Sequence, residues 1–165
     1  MAKRKMLTTA GGPVVVSCKT LAALLAIRRE KLLPLLYGDE LLMSRSNAQV
    51  IGDALPDWLT VRDDVPSQEL PSRVGAATEL EVDTMRLALA SGASLILIDG
   101  AIKESAKLSF MKCEGVVSIL VGAHREGHLS AVPPMIKALV ALGHADVLPP
   151  PEVLDALYEA LKHLE

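Results

Sequence analysis

Ser94-Leu95-Ile96-Leu97-Ile98-Asp99 is the stretch whose reading decides the fold. A short unbroken apolar run after a Ser91-Gly92 breaker reads as a strand buried on both faces, since it has no solvent-facing alternation. Asp99 closes the run, and a carboxylate in that place is not core. In an open parallel sheet, ligands sit at the carboxyl ends of the strands. A second run, Pro13-Val14-Val15-Val16, has the same form and ends on Ser17. If the two strands lie side by side, Ser17 and Asp99 point into one crevice, which is the first place to look for function.

Working outward, Thr20 can cap a helix after the first strand, and Leu32 to Tyr37 form another apolar turn stopped by Gly38. Glu40 to Met43 read as a short strand. Ser46 or Asn47 caps a helix running to about Leu55, where Pro56 ends it. Trp58 to Val61 read as an edge strand, and residues 62–78 as a loop broken by Pro66, Pro71 and Gly75. Thr78 opens a helix that ends at Ser91-Gly92, with Glu79, Glu81 and Asp83 in its first turns. Beyond Asp99, residues 102–111 read as an amphipathic helix, and Val116 starts another that stops at Gly127. Pro133-Pro134 and Pro149-Pro150-Pro151 start two more helices, read as a hairpin over about residues 130–165 appended to a single domain spanning 1–165. Short apolar strands alternating with helices predict an α/β fold built on a parallel sheet.

Composition narrows the function. The chain has 165 residues, enough for one domain with a real core, and half of them are apolar, which argues against disorder. Aromatics make up 2%, so stacking platforms for single-stranded bases are not expected. The net charge of −3 gives no global basic footprint for nucleic acid. Met1-Ala2-Lys3-Arg4-Lys5 is basic, but no apolar segment of the secretory kind follows it, and no run reaches the length of a membrane span. Cys18 and Cys113 are then expected as reduced thiols in a cytoplasmic protein.

Asp53, Asp83 and Asp99 stand at or near element ends. Carboxylates gathered together repel unless a cation or a shared proton relieves them, and Mg²⁺ or Mn²⁺ takes such oxygen ligands. That set would suit metal-assisted phosphodiester hydrolysis. On spacing alone, three surface acids are the simpler reading. His124 and His128 share a helical spacing, but their order is not that of the zinc proteases, and Gly127 interrupts them. Gly11-Gly12-Pro13 precedes a strand and so is not a phosphate loop. Ser17 reads as a helix cap rather than a nucleophile. Lys103, Lys107 and Lys112 could meet a nucleic-acid backbone, with a solvated helix face as the default.

Several segments taken in order resemble a family. Val14-Val15-Val16-Ser17-Cys18-Lys19-Thr20-Leu21 is similar to the first-strand motif of the VapC-like branch of PIN-domain proteins, and Leu24 to Leu36 is similar to the stretch that follows it. Asn47 through Val50 to Asp53 has the spacing of that branch's second motif. Glu81-Val82-Asp83 with Leu87-Ala88-Leu89-Ala90, Leu95 to Asp99, and Ala123 to Leu129 with Val132 to Gly143 resemble the later ones. The order and spacing carry the likeness, which spans the chain except residues 56–76. The resemblance implies a PIN-like three-layer sandwich, with a parallel sheet of four or five strands, helices on both faces and a C-terminal helical hairpin. It implies a metal-dependent endoribonuclease acting on RNA, the toxin of a toxin–antitoxin pair, held by a small antitoxin protein and forming a homodimer. Asp53, Asp83 and Asp99 would hold Mg²⁺ or Mn²⁺, and Ser17 would orient water. The departures are Ser17 in place of the first acid, Asp53 for a longer Glu, Gly100 for a second acid, and Gly115-Val116 for a Gly-Thr pair. They open the alternative of a degenerate, non-catalytic PIN module that binds nucleic acid or a protein.

Overall fold

A computed structural model of the chain describes residues 12–65, 78–99 and 112–162. Among the described residues, five strands form one sheet: β1 (Val14–Val16), β2 (Leu41–Ser44), β3 (Thr60–Arg62), β4 (Leu95–Leu97) and β5 (Cys113–Glu114). Their order is β3-β2-β1-β4-β5 and every pairing is parallel. The described helices are α1 (Cys18–Ala26), α2 (Leu32–Tyr37), α3 (Arg45–Ile51), α4 (Glu79–Ser91), α5 (Val116–Arg125), α6 (Pro133–Ala141) and α7 (Pro151–Lys162).

The strand residues split by parity, because successive side chains point to opposite faces. Val14, Val16, Leu41, Met43, Leu95 and Leu97 enter one core with Leu21, Leu24, Leu33, Leu36, Ile119 and Leu120. Val15, Leu42, Ile96, Ile98 and Cys113 enter a second core with Met85, Leu87 and Ala88 of α4. The protein is therefore a three-layer α/β sandwich, as expected. Ile136 and Leu139 of α6 and Leu161 of α7 belong to the first core, so the C-terminal helices share the interior that β1 and β4 build.

Local signals fix the element ends. Thr78 and Glu81 form a reciprocal capping box at the start of α4, and Gly92, at φ 67° and ψ 38°, closes that helix in the left-handed region. Gly12 lies against this turn: a Cβ there would stand 2.8 Å from the Gly92 carbonyl oxygen.

The structure shifts several caps. Ser17, not Thr20, caps α1, since β1 ends at Val16 and the chain turns into helix at once. Ser44, not Ser46 or Asn47, caps α3 for the same reason. α3 also stops sooner than expected, at Ile51, and passes into a 3₁₀ turn over Gly52–Ala54. The edge strand begins at Thr60 rather than Trp58 and keeps both of its ends exposed. β5, at two residues, is too short to leave a periodic trace in the sequence. The loop expected over 62–78 falls mostly, and the helix expected over 102–111 wholly, outside the described residues. Among the described residues, no helix is long and apolar enough to cross a membrane.

Candidate functional site at the carboxyl ends of the strands

Parallel pairing of β1 with β4, in the register Val16 to Leu97, brings Ser17 and Asp99 to the same edge of the sheet. The Ser17 N–H donates to the Leu97 carbonyl at 2.9 Å. Asp99 is only 3% exposed, so its charge has lost most of its water and must be answered from inside the protein. The Thr20 hydroxyl donates to Asp99 Oδ2 at 2.7 Å. The Val116 N–H, at the start of α5, lies 3.2 Å and 3.1 Å from the two carboxylate oxygens. An acid at a helix N-terminus also meets the favourable end of the helix dipole.

A line of neutral groups leads away from this carboxylate. The Ser17 hydroxyl donates to Thr20 Oγ1 at 3.0 Å, and the Thr20 N–H donates back to Ser17 Oγ at 3.4 Å. The next residue, Cys18, donates its N–H to Asn47 Oδ1 at 2.8 Å. Asn47 is fully buried, and its Nδ2 donates to Ser44 Oγ at 2.7 Å and to the Leu80 carbonyl at 3.0 Å. One amide thus ties the starts of α1, α3 and α4 together. Ser44 Oγ lies 3.2 Å from Ser46 Oγ, and the Ser46 hydroxyl donates to Asp83 Oδ2 at 2.6 Å. Asp99 and Asp83 are therefore the two ends of one network whose interior is hydroxyls, an amide and backbone.

Asp53 does not join it. It lies in the 3₁₀ turn beyond α3 and is exposed. Six residues past Asn47, it lies about 9 Å further along the chain if helical rise is kept. Asn47, buried in α3, is the α3 residue that binds Cys18 and Leu80. Ser17 behaves as the cap the sequence suggests. Among the described residues, no group of three or more His, Cys, Asp or Glu side chains is placed to hold a metal ion.

Among the described residues, the donor set does not fit a hard divalent cation. Mg²⁺ and Mn²⁺ require several converging oxygens, preferably charged. Here the buried carboxylate already accepts from a hydroxyl and a backbone N–H, and the Asn47 amide oxygen is taken by Cys18. Ser17 supplies only a neutral hydroxyl that is engaged with Thr20.

The other candidates take structural places. Burial raises the pKa of the Cys18 thiol, so it stays protonated at neutral pH and is a poor nucleophile. Cys18 and Cys113 are both buried, and no disulfide joins them. His124 Nδ1 lies 3.0 Å from the Leu129 carbonyl, and Gly127, at φ 82°, separates it from His128 outside α5. Lys112 is exposed, while Lys103 and Lys107 lie outside the described residues. Elsewhere, the Tyr37 hydroxyl donates to Glu114 Oε1 at 2.7 Å. Burial first, and the Glu114 charge second, push its pKa well above the ordinary phenol value.

The sequence reading missed Asn47 and Ser44 as site residues and took Thr20 for a cap. A Ser-x-x-Asn spacing directly after an apolar strand was the available signal. Comparison with protein-family models, with curated proteins and with solved structures finds no match.

Proposed function

We propose that this chain is a degenerate PIN-like module that works by binding a protein partner and does not cleave RNA. The observation that carries this reading is the state of Asp99: a carboxylate 3% exposed, held by the Thr20 hydroxyl and the Val116 N–H. An acid used in this way braces the starts of α1 and α5 against the sheet. The strand order β3-β2-β1-β4-β5 and the ordered motifs support the PIN-like assignment.

A protein is favoured over RNA as the partner by the net charge of −3, the scarcity of aromatics and the engagement of nearby cations. Lys19 pairs with Asp146 at 3.4 Å and Arg45 with Asp63 at 2.8 Å. Val140, Leu142 and Val153, each more than half exposed, offer apolar surface on and beside the C-terminal helices. A second copy of the chain and a small antitoxin-like protein are the partners to try first, in a cytoplasmic setting.

The second reading, a Mg²⁺- or Mn²⁺-dependent endoribonuclease, is favoured by one observation: Asp83 and Asp99 end two hydrogen-bonded groups at the strand ends that the Ser17–Cys18 peptide link joins. Titration of Mn²⁺ into the purified protein by calorimetry, with Asp99→Asn as control, separates the two. The expected outcome is no saturable heat in either protein at millimolar Mn²⁺. Saturable binding lost in Asp99→Asn would overturn the non-cleaving reading and send the protein to RNA-cleavage assays.

A further inference from the structure

We infer that Thr20, in addition to the missing carboxylate at Ser17, shuts this crevice to a divalent cation. The inference rests on the non-cleaving reading and says which side chain enforces it. Thr20 is fully buried and stands between Ser17 and Asp99, with 3.0 Å to the first and 2.7 Å to the second. Its hydroxyl has one proton, and that proton is given to Asp99. Its lone pair receives the Ser17 proton. The chain Ser17 to Thr20 to Asp99 is thus fully polarised toward the carboxylate, and such chains strengthen one another in a dry interior.

An acid at position 17 would still cap α1, since Asp is as good an N-cap as Ser. It could not donate to Thr20, and the single Thr20 proton could serve only one of two carboxylates. The Thr20 oxygen would remain between the acids, where a cation would have to enter. Adding the carboxylate alone therefore sets a second negative charge beside Asp99 with the Thr20 oxygen still between them. Removing the hydroxyl as well opens the space between them.

The test uses the full chain and Mn²⁺ alone as probe, with calorimetry and thermal melts for wild type, Ser17→Asp and the double variant Ser17→Asp with Thr20→Ala. Ser17→Asp is expected to melt about 3–6 °C lower than wild type, with no change in the melt on adding Mn²⁺. The double variant is expected to bind Mn²⁺ about tenfold or more tightly than Ser17→Asp, in the range by which neighbours of metal ligands alter affinity. Saturable Mn²⁺ binding by Ser17→Asp alone would overturn the inference, because only a carboxylate was then missing. No gain in the double variant would also overturn it. Binding by the wild type would instead remove the non-cleaving reading on which it rests. Should Ser17→Asp fail to fold, Thr20→Val carries the test: its melt is expected to fall by several degrees, and an unchanged melt would show that the hydroxyl does not hold Asp99.

Discussion

The carboxyl ends of β1 and β4 and those of β2 and β3 lie on the same edge of one sheet, yet they treat acids in opposite ways. Beside β1 and β4, Asp99 is buried and answered by Thr20 and the start of α5. Beside β2 and β3, Asp63 and Asp64 are exposed. Asp63 pairs with Arg45, and Asp64 accepts the Ser46 N–H at 3.2 Å. The central pair of strands is covered by helices on both faces, whereas β3 is an edge strand with both end residues exposed. Position in the sheet, more than residue type, decides whether a strand-end acid becomes a structural strut or a solvated charge.

Removing the buried strut has the largest expected effect. Asp99→Ala leaves the Thr20 hydroxyl and the Val116 N–H without this acceptor, at about 1–3 kcal/mol for each unpaired group. A loss near 3 kcal/mol in urea unfolding is expected, and a loss below about 1 kcal/mol would break the contrast. Asn47→Ala comes next. It removes the amide that joins Cys18, Ser44 and Leu80, and about 2 kcal/mol is expected from the same unfolding measurement. A neutral result there would show that the helix starts hold one another without it.

The smallest effect belongs to the exposed side. Arg45→Ala breaks an ion pair whose side chains are 54% and 86% exposed. A change within about 0.5 kcal/mol is expected, shrinking further in high salt. A loss as large as that of Asp99→Ala would erase the distinction between the two ends of the edge.

Some of this site is legible without coordinates. Ser94 to Asp99 and Pro13 to Ser17 announce two buried strands, each with a polar residue at its end, and their pairing is what the structure shows. Thr78 with Glu81, Gly92, Gly38 and Pro133 mark helix ends through local chemistry, and each marks the end it predicts. Asp53 misleads because helical spacing does not continue past Ile51, where the chain tightens into a 3₁₀ turn. Asn47 escapes because its partners, Cys18 and Leu80, lie 29 and 33 residues away in the chain.

By itself, the sequence determined the class of fold, the ends of most helices and the presence of Ser17 and Asp99 at a strand edge, because apolar runs, caps and breakers act over a few residues. Only the tertiary structure decided what those residues do there. Whether a carboxylate gathers a cation or braces two helices depends on which donors reach it. Two donors that reach Asp99, the Thr20 hydroxyl and the Val116 N–H, are brought by chain crossings that no local pattern encodes.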